Sequence, residues 1–297
     1  DSAFVDNNTI KSNGDSDSGR SLRMFEVEDT ILYNNTIDSN DYSGIVITES
    51  SNNKIIQNIV KGNGKYGIQI LNDATKSANN TIKDNTVNDN SDIAIFNHGI
   101  FTKIINNTVK YNEQDGIKIA SDGARSSISS NNLVDNEGKS IIILAKNIAI
   151  ESNTIDADSS EIAISILNAN FASIENNTIE GGNLGIKVQN STSAFIYNNT
   201  IKSNSGYGIQ VLINSESARV KYNQLTDNED NAIVISSSNS TEVYNNTIKE
   251  NAGYGFAATN SKNSLFEFSS RLDAEEFIAV SSFECYLSDL QIHHLSS

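Results

Sequence analysis

Residues 176–212 read NNTIEGGNLGIKVQNSTSAFIYNNTIKSNSGYGIQVL, and within them NNTI at Asn176 returns at Asn198 while GIKV from Gly185 returns as GIQV from Gly208. Inside each short run apolar and polar residues alternate, the two-residue period of a strand with one face against a core. The runs are short and closely bounded by Asn, Ser and Gly, so none carries a helical period. The unit therefore predicts strands joined by sharp corners.

Outward from this stretch the same pattern covers most of the chain. The motif recurs as NNTI at Asn7 and Asn34, QNIV at Gln57, DNTV at Asp84, NNTV at Asn106, NNLV at Asn131, SNTI at Ser152, YNQL at Tyr222 and NNTI at Asn245. With Asn176 and Asn198 these motifs follow one another at a mean of about 24 residues. A second run follows about ten residues later, as GIVI from Gly44, GIQI from Gly67 and GIKI from Gly116, its first and third apolar positions pointing inward. A third run precedes each return, as in NKII from Asn53 and TEVY from Thr241. Three strands per coil predict an all-β solenoid, a parallel β-helix of about eleven coils and three parallel sheets, right-handed because parallel crossovers take that hand. At about 4.8 Å per coil the rod is on the order of 50 Å long.

The second residue of every motif is Asn: Asn8, Asn35, Asn58, Asn85, Asn107, Asn132, Asn153, Asn177, Asn199, Asn223 and Asn246. An inward Asn at a corner can bond its equivalents above and below, so these residues are expected to form a structural ladder. A second polar column contains Asn13, Asn40, Asn63, Asn90, Asn112, Asn204, Asn228 and Asn251, with Glu137, Asp158 and Gly182 in the other coils. It is expected to supply left-handed corner residues. Residues 1–260 thus form the coils, and 261–297, which lack the Asn motif, irregular last coils or a cap. With a motif already at Asn7, coil one should expose strand edges and Ile10, and either a longer parent chain or head-to-tail self-assembly should cover them.

Composition narrows function. Among 297 residues there are 21 Lys and Arg against 37 Asp and Glu, a net charge of -16, without the basic cluster that nucleic-acid backbones require. The lone Cys285 can form no internal disulfide and no Cys-based zinc site. No apolar run is long enough for a membrane span. Asn-x-Ser/Thr sequons stand at Asn7, Asn34, Asn79, Asn106, Asn176, Asn190, Asn198, Asn239 and Asn245. The first Asn of NNT should face outward and could accept a glycan in a secreted protein.

The alternation NNTI…N…GIxI…SxxNxI resembles the carbohydrate-associated parallel β-helix repeats of NosD-like proteins, of microbial surface proteins, and of alginate epimerases and polysaccharide lyases. The resemblance covers residues 7 to about 260 and implies a right-handed parallel β-helix with a polysaccharide or glycan partner. NosD-like proteins are linked with copper delivery, but the soft ligands available here are His98, His293, His294, Met24 and Cys285, and no copper site is expected. The Asp-Pro-His-Glu motif of alginate epimerases cannot occur in a chain without proline, and the Asp pairs and Gly-His-Gly signature of pectin-cleaving hydrolases are missing. The family's catalytic residues therefore do not carry over.

One constellation of this chain's own carries chemistry. Counting three residues past the last aliphatic of each second run gives a column Ser50, Asp73, His98, Asp122, Lys146, Ala169, Ser191, Asn214 and Ser238, with Lys76, Lys103 and Arg125 in the following loops. Candidate catalytic residues are His98, Asp73, Asp122, Lys146 and Arg125: a cation could neutralise a uronate carboxylate while His98 or Lys146 removes the adjacent proton. The expected function is an extracellular or cell-surface rod with a structural, adhesive or carbohydrate-binding role and no cofactor. The alternative is a uronate polymer lyase or C5-epimerase, in which Ca2+ could take part.

Overall fold

A computed structural model describes residues 2–13, 21–71 and 77–267, together with the strands Ile278–Ser281 and Cys285–Ser288. Among these residues the chain winds through three parallel sheets of 13, 11 and 12 strands, here sheets A, B and C. One coil shows the plan: Phe195–Tyr197 lies in sheet A, Thr200–Lys202 in sheet B and Tyr207–Leu212 in sheet C. Each strand pairs with its equivalent one coil on, so Ile174, Ile196 and Val220 stand in one row and Ile179, Ile201 and Leu225 in another. Beyond residue 260, Ser264–Glu267 and Cys285–Ser288 extend sheet A and Ile278–Ser281 extends sheet C.

The alternation fixes the core. Ile196, Ile201, Ile209 and Val211 of the coil just described have no exposed surface, while Phe195, Tyr197 and Gln210 between them face outward and keep some. A strand of three residues cannot hold itself, so stability comes from stacking each coil's apolar rows on its neighbours. At one end Phe256 and Phe266, both wholly buried, pack with ring centroids 4.6 Å apart. At the other, Val5, Ile10 and Leu22 are only partly buried and, with Met24 and Leu32, line an open apolar concavity.

The Asn ladder runs without a break from Asn8 to Asn246. Asn58 Nδ2 donates to Asn85 Oδ1 at 3.0 Å, Asn85 Nδ2 to Asn107 Oδ1 at 3.0 Å, and each oxygen also accepts the backbone N–H of the Asn below it. The other amide hydrogen satisfies a carbonyl, as Asn85 Nδ2 does toward Ile55 O at 2.8 Å. One rung differs from the sequence expectation: Asn107 and Asn153 bond to Asn131, not to Asn132. Two residues past a ladder Asn the chain must return an apolar side chain to the core. Leu133 does so here, which fixes Asn131 as the inward residue, and Asn132 occupies the outward place that Thr108 and Thr154 take beside it.

The second polar column is also a ladder, which corrects the reading of its Asn residues as left-handed corner residues, whereas Gly182 does take a positive φ, of 84°. It runs Asn13, Asn40, Asn63, Asn90, Asn112, Asn136 and, after a break, Asn204, Asn228, Asn251. Asn136 takes the place expected of Glu137, for the same one-residue reason as at Asn131, and Glu137 and Asp158 are exposed. The break is filled by buried Ala157 and by Ser160, whose hydroxyl donates to Asn136 O at 2.7 Å. The left-handed residues are the ones just before each ladder Asn, such as Ser39, Asp89 and Ser203, and at the first ladder Asn34, Asn106 and Asn198. Asn and Asp suit that conformation because their short side chains tolerate it.

Outward rows carry charge, and their order matters. In sheet B, Asp38 lies between Lys11 at 3.1 Å and Lys61 at 4.0 Å; the Ser39 hydroxyl first, and these cations after it, hold its carboxyl below the usual range. Asp156, between Val134 and Glu180 in the same row, is pushed up, chiefly by burial and further by Asp158, Asp135 and Glu180, against a lowering hydrogen bond from the Asp158 backbone. A raised folded value means that the folded state holds the proton more tightly, so this stabilising contribution is present at low pH and lost as pH rises through that value. Asp156→Asn should therefore raise the melting temperature at neutral pH, and the gain should vanish on acidification through the carboxylate range, at about pH 4. Equal melting temperatures of the two proteins at neutral pH would contradict this.

Candidate functional site

The outward face of sheet C in the N-terminal half of the rod gathers the most varied chemistry. Strands Ile68–Ile70, Ile95–Asn97 and Ile117–Ile119 lie side by side and turn Gln69, Phe96 and Lys118 to solvent. The Phe96 ring packs against Tyr66 at 5.4 Å and against the His98 imidazole at 4.4 Å, and Lys118 Nζ sits 5.5 Å from its centroid. All are half-buried, fixed at the base and open at the edge. Burial, helped by the charge of Asp92, raises the Tyr66 phenol, so it stays a neutral donor and acceptor.

His98 is oriented by Asp122, whose Oδ1 and Oδ2 lie 3.0 and 3.2 Å from Nδ1. With Nδ1–H donating to that carboxylate, the neutral imidazole carries its lone pair on Nε2, which bonds nothing among the described residues. The local backbone explains the placement. Asn97 occupies an inward position where the next coil has Ile119, and its buried side chain bonds Gly99 N, Gly99 O and the Ser126 hydroxyl. This tight polar turn presents His98 outward, one residue past the strand. A Cβ on Gly99 would lie 2.6 Å from Ser77 O, so the turn needs glycine.

The expected charged column is rearranged. Asn97 pairs with Ile119, so His98 stands one residue past its strand and Asp122 three past, and they meet because 120–123 folds back through the Gly123 N–H to Ala120 O hydrogen bond. Ser50, Ala169, Ser191 and Ser238 point inward and are buried, Ser215 rather than Asn214 continues that row, and Asn214 is exposed in the left-handed conformation. Asp73 and Lys76 lie outside the described residues. Arg125 is exposed at the corner between sheets C and A, with its guanidinium 5.5 Å from the Phe101 ring. Lys103 and Lys146 are exposed, and among the described residues none of these three cations has a carboxylate within ion-pair distance. Lys118, in contrast, is 3.8 Å from Asp115. No three His, Cys, Asp or Glu side chains converge as metal ligands would among the described residues.

Phe96, Tyr66 and Lys118 are not among the residues the sequence singles out, because their only signal is the outward place of short strands and not a loop motif. Of the sequons, Asn7, Asn34, Asn79, Asn106, Asn176, Asn190 and Asn198 are exposed as expected, and Asn239 and Asn245 half-exposed. Some amides are already paired along the rod, as where Asn198 Nδ2 donates to Asn176 Oδ1 at 2.8 Å.

The family model of the right-handed β helix region matches residues 1–104 and 125–270. Among solved structures, the Dettilon tailspike protein gp208 superposes with a TM-score of 0.71 at 11% identity over 94% of this chain and 62% of its own. The surface adhesin PfbA of Streptococcus pneumoniae gives 0.54 at 15% identity over 86% and 71%. The mannuronan C-5 epimerase AlgE6 A-module of Azotobacter vinelandii gives 0.52 at 12% over 90% of both chains. At these identities the likeness shows the fold alone, and the chain spans less than two thirds of the tailspike chain. No curated protein matches the sequence. Among the described residues no helix is long and apolar enough to cross a membrane.

Proposed function

The chain belongs to the right-handed β-helix family, and from that premise we propose that it is an extracellular or cell-surface rod that binds an acidic polysaccharide on the outer face of sheet C. The observation that carries this reading is the Tyr66–Phe96–His98 cluster: a flat apolar ring held between two amphipathic ones, with Lys118 and Asp122 at its edge. A sugar ring offers C–H groups to the aromatic face and hydroxyls to the polar edge, the mix that carbohydrate sites require. Lys118 stands against the Phe96 ring, and Arg125 and Lys146 stack at the corner that follows this face, supplying the positive charge a uronate needs on a chain of net charge -16. An adhesin and a polysaccharide-modifying module among the proteins sharing the fold support the placement outside the cytoplasm.

The His98–Asp122 pair favours a second reading, a lyase or epimerase. His98 Nε2 would take the proton beside the uronate carboxyl, the electron pair moving into the carboxyl group; return of a proton to the opposite face epimerises the sugar, whereas loss of the linked oxygen cleaves the chain. Alginate and polygalacturonate incubated with wild type and His98→Ala, and a glycan array with Phe96→Ala, separate the two. Binding lost in Phe96→Ala with no turnover by wild type is the expected result. Turnover abolished in His98→Ala would establish the enzyme, and failure to bind any acidic glycan would remove the proposal.

A further inference from the structure

A second aromatic surface lies on sheet A, several coils from the sheet C cluster. Phe195 and Tyr197 leave the same strand on its outer side and stack at 5.4 Å with 14° between their planes. Tyr222, at the corner one coil on, meets Tyr197 edge-on at 5.4 Å, and Tyr244 of the next coil meets Tyr222 at 6.3 Å. Lys221 stands in the row between Tyr197 and Tyr244, its ammonium 4.4 Å from the Tyr244 centroid and 5.7 Å from Phe195. Four rings in three consecutive coils thus form a continuous face along the rod axis.

Two further observations say what the face takes. Its cations already have a carboxylate partner: Lys221 lies 3.7 Å and Arg219 3.6 Å from the Glu242 carboxylate that they share. The hydroxyls of Tyr197, Tyr222 and Tyr244 make no hydrogen bond among the described residues, although Tyr222 is 46% exposed. A face of rings with hydroxyls at their rims and no unpaired cation suits an uncharged partner rich in both C–H and O–H groups. A second copy of the chain fits less well, because each carries a net charge of -16 and side-by-side packing would set those charges against each other.

We propose that Phe195, Tyr197, Tyr222 and Tyr244 form a binding surface for a neutral oligosaccharide lying along the rod, separate from the sheet C site. Sugar rings stack on the aromatic faces while Tyr hydroxyls and Glu242 take their hydroxyl groups, with the Glu242–Lys221 pair holding the platform.

The chain has no tryptophan and ten tyrosines, three of them here, so the part of a tyrosine-fluorescence change that is lost in the variants reports this surface, and calorimetry gives the affinity. The probes are cellotetraose, maltotetraose and xylotetraose, with tetragalacturonate as the charged comparison. The informative variant is Tyr222→Asn, since Asn34, Asn106 and Asn198 stand in the same left-handed corner position in other coils and the backbone accepts it; Tyr244→Ala is the second. At least one neutral tetrasaccharide should bind wild type, and each variant should weaken it about tenfold or more, with tetragalacturonate weaker than the neutral probes on this surface. The proposal fails if no neutral probe binds or if the variants bind as wild type does. It also fails if wild type self-associates in sedimentation and Tyr222→Asn does not, which would make the face an interface between copies. Loss of acidic-glycan binding in Phe96→Ala tests the sheet C site and leaves this result unaffected.

Discussion

Replacing Asn153 by leucine is expected to destabilise the rod by about 3–5 kcal/mol, more than one lost hydrogen bond would give. Asn153 Oδ1 accepts both the backbone N–H and the side-chain amide of Asn131, at 2.9 and 3.0 Å, and its Nδ2 donates to Ile128 O and Asn177 Oδ1, both at 3.0 Å. Leucine fills a similar volume but leaves the Asn131 backbone N–H without its partner in a dry interior, at about 1–3 kcal/mol, and takes one hydrogen bond each from the Asn131 amide, which keeps Ile104 O and Ser129 O, and from the Ile128 carbonyl, at about 0.5–1.5 kcal/mol each. Only the backbone N–H of residue 153 keeps its bond to Asn177. At Asn8, exposed at the end of the ladder and bonded above to Asn35 alone, the same change should cost far less. Urea unfolding of Asn153→Leu and Asn8→Leu checks this, and equal, negligible shifts at both sites would contradict it.

The second large effect belongs to the apolar rows. Ile164 is wholly buried in the strand Ile162–Leu167, stacked between Ile141 and Ile186. Ile164→Ala should cost about 2–5 kcal/mol, because a stacked solenoid with strands pinned above and below has little freedom to close the cavity. Ile10 stacks on Ile37 alone and is partly exposed, so Ile10→Ala should cost much less. Because coils contact mainly their neighbours, the damage should be local. Hydrogen exchange should quicken most in 141–188 for Ile164→Ala, and a uniform loss of protection along the chain would count against a quasi-one-dimensional rod.

Most of the fold is legible in the sequence because a coil repeats a physical constraint: each Asn of the first ladder must be followed two residues on by an inward aliphatic. Where two Asn adjoin, that constraint and not the motif's spelling decides, and Leu133 is what distinguishes Asn131 from Asn132. The functional face is harder to read. His98 departs from the repeat because Asn97 replaces a core aliphatic, so counting from Ile95 shifts its register by two residues. Asp122 reaches it only through the turn at 120–123. The outward row Gln69, Phe96, Lys118 is present in the sequence, but variable outward residues look like ordinary surface until stacking sets Tyr66 and His98 against Phe96.

The claim that this face of sheet C takes an acidic glycan is tested most directly by titrating isotope-labelled protein with an oligogalacturonate and following backbone and side-chain resonances. Shifts that saturate together at Tyr66, Phe96, His98 and Lys118, and are lost in Phe96→Ala, are the predicted result. An oligogalacturonate that perturbs none of these four residues, or perturbs only residues on sheet A, would contradict it.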